Sequence, residues 1–174
     1  MAAEIIKVYK QDLPALRFIG KKYGEEDRVN GSFTKYWDEW FKNGWFAQLE
    51  KLAVSDLKSV YEDVDAYLGL MRRKEGEPFE YWIGLYAPPG TQPPEGFGHI
   101  DFPEVKLGVC WLYGGHGEVF GHTAECAKKL EEEGHRIAQD KDGANWFMER
   151  YGCPRFTTPD EKGKIILDFC WFIQ

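Results

Sequence analysis

Apolar residues change their spacing several times along the chain, and each change marks an element. Over residues 4–23, Ile5, Ile6, Val8 and Tyr9 are β-prone, Leu13-Pro14 breaks the run, and Leu16-Arg17-Phe18-Ile19-Gly20 resumes it. This predicts a strand pair or one bent strand. Residues 24–31 are polar and hold the turn pair Asn30-Gly31. After Ser32, a candidate N-cap, Phe33, Tyr36, Trp37, Trp40 and Phe41 recur at three- and four-residue steps, which places them on one helical face. Asn43-Gly44 interrupts, and Trp45, Phe46, Leu49 and Leu52 continue in a short helix or turn. Residues 65–73 and 79–86 read as strands around the turn Glu75-Gly76-Glu77-Pro78, making a hairpin. Residues 87–103 carry Pro88, Pro89, Pro93, Pro94 and Pro103 and read as a long loop of the kind that often serves function. Val105 to Tyr113 reads as a strand stopped by Gly114-Gly115-His116-Gly117. Residues 118–133 form an amphipathic helix with Val119, Phe120, Thr123, Ala127 and Leu130 facing the core, closed by Gly134. A short aromatic segment, 145–152, and an apolar strand, 164–174, follow.

The order repeats. The first half (about 1–86) runs strand, turn, helix, strand, strand; the second (about 104–174) runs strand, turn, helix, short segment, strand, with loop 87–103 between them. The two share pattern and not residues. Two such units predict an α+β fold with both helices on one side of a joined antiparallel sheet. The opposite side, or the seam between the units, then offers a ligand cleft. A length of 174 residues suits one domain, 1–174.

Charge narrows the function. The net charge is −7 and no basic stripe is present, so direct nucleic-acid binding is not expected. No apolar run approaches the ~20 residues of a membrane span. Met1-Ala2-Ala3-Glu4 lacks a secretory pattern, and a cytoplasmic location is expected. Cys110, Cys126, Cys153 and Cys170 lack metal-finger spacing and are read as small buried apolar residues without disulfides. His116 and His122 are not at the helical i, i+4 metal spacing, and no metal is expected. Aromatic residues reach 16%. They supply either a bulky core or a ring-lined pocket, and composition does not choose between the two.

Several short motifs carry a resemblance over nearly the whole chain. They are Tyr67-Leu68-Gly69-Leu70, Phe79-Glu80-Tyr81-Trp82-Ile83-Gly84, the turn Pro94-Glu95-Gly96-Phe97 before Ile100 and Pro103, and the strand reaching Tyr113-Gly114. The most telling is Phe147-Met148-Glu149-Arg150-Tyr151, followed by Ile165-Ile166-Leu167-Asp168-Phe169. In order and spacing these are similar to the GyrI-like small-molecule-binding domain, also met as the effector-binding domain of AraC-type and multidrug-responsive regulators. The resemblance implies a duplicated β-α-β-β fold around a central cleft that takes bulky, often cationic aromatic compounds. No cofactor is expected. It places Glu149 at the ligand-binding acid. Two alternatives come with it: a hydrolase of cyclopropane-bearing alkylating compounds using a glutamate and a tyrosine, and a protein-binding inhibitor of DNA gyrase. Asp168 stands where a glutamate is common, one methylene shorter. No helix-turn-helix precedes Ile5, so a stand-alone protein that does not itself activate transcription is expected.

An acid among rings attracts cations by charge, and each ring adds a cation–π contact of ~0.5–2 kcal/mol. Alternation on strand 79–86 puts Phe79, Tyr81, Ile83 and Leu85 on one face and Glu80, Trp82, Gly84 and Tyr86 on the other. Besides Glu149, the expected ligand-binding residues are Tyr81, Trp111 and Trp40, then Tyr67, Phe147 and Asp168. By the same resemblance, Glu149 with Tyr81 is the expected catalytic pair if the protein is an enzyme.

Overall fold

The structure is a computed structural model and describes residues 3–52 and 55–174. Eight strands are present among the described residues: β1 (Glu4–Leu13), β2 (Leu16–Gly24), β3 (Tyr67–Arg73), β4 (Glu80–Ala87), β5 (Gly98–Phe102), β6 (Val105–Gly114), β7 (Asn145–Tyr151) and β8 (Ile165–Ile173). The α-helices are α1 (Thr34–Lys42), α2 (Trp45–Glu50) and α3 (Thr123–Glu132). The strands form one antiparallel sheet in the order β1-β6-β8-β7-β3-β4-β2-β5. Within it, β2-α1-α2-β3-β4 and β6-α3-β7-β8 repeat one another: a strand, a helical connection, then a hairpin whose last strand pairs with the first. The units join where β3 meets β7, with Gly69 opposite Glu149.

Two short links bend this sheet. β1 and β2 lie six strand spacings apart in the sheet order, ~29 Å if it were flat. Leu13 and Leu16 are separated by three Cα steps, which reach at most ~11 Å. The link Phe102 to Val105, joining β5 to β6, spans the same six spacings. The sheet therefore curls until its two ends face each other, without closing. Leu13, Leu16, Phe18, Phe102, Leu107 and Val109 from the ends then pack against Leu68, Leu70 and Met148 from the centre, forming an inner core. The helices cover the outer, convex face, where Trp40, Phe46, Leu49, Cys126 and Leu130 bury themselves on Ile83, Cys110, Leu112 and Leu167.

The inner core holds a polar network. Arg150 and Asp168 are fully buried and Asp63 nearly so. Arg150 donates to Asp168 (2.8 Å), Gln11 (2.6 Å) and Tyr61 (2.9 Å), and Arg155 donates to Asp168 (2.7 Å) and Asp63 (3.0 Å). Two guanidinium groups balance two carboxylates, and no buried side-chain polar atom among the described residues lacks a partner. Such groups tolerate burial only when paired in this way.

The structure departs from the sequence pattern in several places. Residues 4–23 give two strands that do not pair with each other, because the curled sheet seats them at opposite ends. The proline-rich loop contains a strand, β5, which pairs only with the edge of β2. The segment 145–152 is a full strand, β7. The second helix starts only at Thr123, so Val119 is buried in the preceding turn and Phe120 is exposed. All four cysteines are free, but Cys153 is exposed, since it lies beyond the end of β7. No helix among the described residues is long and apolar enough to cross a membrane.

Candidate functional site

On a convex face, side chains splay apart. Helices α1 and α2 belong to one unit and α3 to the other, and they leave the seam over β3 and β7 uncovered. A cavity of about 1030 Å³ occupies this gap. Its floor is made by Tyr67 and Met71 of β3, Tyr81 of β4, Glu149 and Tyr151 of β7, and Phe169 of β8. Phe33, Trp37 and Phe41 form one wall, and His116, Phe120 and Thr123 the other. Glu50, Asp65, Cys153 and Phe156 also line it. Strand alternation accounts for the floor: residues 67, 69 and 71 on β3 and 147, 149 and 151 on β7 point outward together.

Glu149 sits in the middle of the floor, half-buried. Its carboxyl Oε1 accepts from the Tyr81 hydroxyl at 3.3 Å, long for such a bond. Tyr151 supplies a second hydrogen bond. Tyr81 is buried, stacked on Phe33 with ring centroids 4.1 Å apart and planes 3° from parallel, and its oxygen accepts from Trp37 Nε1 at 2.9 Å. An indole only donates, so the Tyr81 proton is left to point at Glu149. Gly69 makes the pair possible. It lies opposite Glu149 and between that residue and Tyr81; a Cβ there would stand 2.6 Å from the Tyr81 hydroxyl and 3.2 Å from Glu149 Oε1.

Burial raises the Glu149 carboxyl to about 7, against a smaller opposing effect of the two tyrosine hydroxyls. Burial, and then the neighbouring Glu149, push Tyr81 and Tyr151 well above the usual phenol range, so both stay protonated donors. At the mouth, Tyr67 stacks on Phe46 with centroids 3.9 Å apart and donates to Glu50. Arg28 lies over the Phe33 ring and is held by Glu25 at 2.7 Å. No cluster of three or more His, Cys, Asp or Glu side chains placed to hold a metal is present among the described residues.

Of the residues expected at the cleft, Glu149, Tyr81 and Tyr67 line the cavity. Trp40 shares their face but is wholly buried, its Nε1 donating to Tyr23 at 3.0 Å. Phe147 is buried against Trp171, with centroids 4.4 Å apart. Trp111 and Asp168 face one another in register on β6 and β8 and lie on the opposite, inner face. Asp168 is there engaged by Arg150 and Arg155. Phe33, Trp37 and Tyr151 line the cavity without having been singled out as ligand contacts. The helical stripe already contained Phe33 and Trp37, and the motif around Glu149 contained Tyr151.

No family model matches the sequence, and no curated protein matches it. Solved structures do. A putative bacterial transcription regulation protein from Staphylococcus aureus MU50 superposes with a TM-score of 0.64 at 16% identity, covering 97% of this chain and 98% of that one. SAV2435, solved bound to tetraphenylphosphonium, gives 0.67 at 16% identity, covering 97% and 94%. The chain shares their fold. The EcmrR C-terminal domain gives 0.59 at 9% identity, covering 100% and 99%.

Proposed function

We propose that this protein binds hydrophobic organic cations in the seam cavity, with Glu149 as the counter-charge, and so sequesters or senses such compounds. The observation that carries this is a half-buried carboxyl, ringed by aromatic side chains, with no cationic side chain against it among the described residues. A buried carboxylate without a counter-charge is costly unless a guest supplies one. The rings add cation–π and stacking contacts that tolerate many guest shapes. A protein of the same fold, SAV2435, was solved with a bulky aromatic cation.

Tetraphenylphosphonium is the direct probe. At ten times its Kd it should raise the melting temperature by about 3–6 °C, and Glu149→Gln should remove most of that rise. A flat response of the wild-type protein up to millimolar ligand would refute the proposal.

The contact between Tyr81 and Glu149 favours one second reading, hydrolysis of strained electrophilic rings. Glu149, titrating near neutrality, would take a proton from a water whose oxygen bonds to a cyclopropane carbon; the strained C–C bond breaks, its electron pair passes into a carbonyl conjugated with the ring, and the Tyr81 hydroxyl donates to the oxyanion that develops there. Turnover of a cyclopropane-bearing substrate well beyond one equivalent of protein tests it. Protection limited to one equivalent leaves binding alone.

A further inference from the structure

We infer that the guest best suited to this cavity is an elongated aromatic dication, with one positive centre over Glu149 and the second at Glu50 beside Tyr67. This inference rests on the cation-binding reading above and adds a second charge site to it.

The ionisable Arg, His, Asp and Glu side chains lining the cavity are Arg28, Glu50, Asp65, His116 and Glu149. Asp65 is paired with Lys58 at 2.7 Å. Arg28 is committed to Glu25 and to the carbonyl of Gly31 at 3.2 Å. His116 lies on the far lip between the rings of Phe120 and Phe156. Glu149 and Glu50 remain. Among the described residues their hydrogen-bond partners are tyrosine hydroxyls: Tyr81 and Tyr151 for Glu149, and Tyr67 for Glu50. A hydroxyl orients a carboxyl and brings it no positive charge. The cavity therefore holds two oriented acids with no cationic side chain paired to either among the described residues.

Their placement sets the guest's shape. Glu149 lies against Gly69, and Tyr67 is two residues away on the same strand, ~6.6 Å. The Tyr67 ring, stacked on Phe46, carries its hydroxyl to the exposed Glu50 at the mouth. The second acid is thus displaced both along the strand and away from the sheet. A rod reaching from floor to mouth passes Tyr151, Tyr67 and Phe41 between the two acids, and an aromatic spacer suits that stretch.

A matched pair of probes tests this: benzyltriphenylphosphonium, with one positive centre, and p-xylylene-bis(triphenylphosphonium), with two. Both are titrated by tryptophan fluorescence against wild type, Glu50→Gln, Tyr67→Phe and Glu149→Gln. The wild-type protein should prefer the dication about fivefold, the upper end of what one exposed charge pair contributes. Glu50→Gln should abolish that preference while changing monocation affinity less than twofold, and Tyr67→Phe should reduce it. An unchanged preference in Glu50→Gln, or none in wild type, overturns the inference and leaves the cation reading standing. Failure of the monocation to bind, or its indifference to Glu149→Gln, overturns both.

Discussion

Cation affinity should depend on pH in a way that Glu149 dictates. The carboxyl titrates near 7, because ionising it at the cavity floor means stripping water from a charge with no cation to replace it. A cation binds the ionised form, so the apparent Kd is the intrinsic value divided by the ionised fraction. At pH 6 about a tenth of the molecules are ionised and at pH 8 about nine-tenths, so affinity for tetraphenylphosphonium should rise about tenfold across that interval and then level off. This cation is permanently charged, so the dependence belongs to the protein. Calorimetry at pH 7 in two buffers of different ionisation enthalpy should detect release of about half a proton per ligand. Stability should move the other way. The folded carboxyl holds its proton above the ordinary value of 4.5, so stability falls as pH rises from about 4.5 through 7. Once ionisation is complete the cost is about 3 kcal/mol. Glu149→Gln removes that cost, so the variant should be more stable than wild type at pH 8 while binding cations less well. A pH-independent Kd between 6 and 8, or a Glu149→Gln variant less stable than wild type at pH 8, would refute the reasoning.

Two further outcomes follow from the packing. Gly69→Ala should destabilise the protein by about 1–3 kcal/mol and weaken tetraphenylphosphonium binding at least tenfold, because the new methyl displaces the Tyr81 ring from Glu149; denaturant titration with a parallel binding curve checks it, and retained affinity counts against the Tyr81–Glu149 geometry. Asp168→Asn strips one of two counter-charges from the two arginines of the inner core and should cost about 3–5 kcal/mol by chemical denaturation. Whatever remains folded should bind tetraphenylphosphonium with wild-type affinity, since Asp168 lies on the other face, and a selective loss of binding would place it back at the ligand.

The elements were legible where one face is apolar. The stripe Phe33, Tyr36, Trp37, Trp40 and Phe41 announces α1, yet helical periodicity cannot say that Trp37 opens onto the cavity while Trp40 turns into the core. That division depends on where the seam falls, which is a property of the joined units. β8 shows a different limit. Its residues are apolar on both faces because both are covered, so alternation carries no sign, and Asp168 gives no hint that it points inward. The register that pairs Trp111 with Asp168 sends both the same way. β5 escaped notice because a short edge strand among prolines has almost no periodicity. Glu149 was expected from its motif, and Tyr81 was favoured among the rings of a strand whose two faces both carry aromatics; the structure brings the two together in the cavity. The glycine that lets them touch becomes visible only with β3 and β7 side by side.

The short links that join opposite ends of the sheet also govern the order of assembly. Leu13 and Leu16 lie beside Pro14, while their packing partners in the inner core include Leu107 and Phe172, some ninety to a hundred and sixty positions later. β1 pairs along its whole length with β6, Glu4 meeting Tyr113. During synthesis β1 must stay unpaired for the roughly ninety residues that separate it from β6. Contacts of such long range make folding slow, and they leave a sticky, unmated β-strand waiting in the meantime.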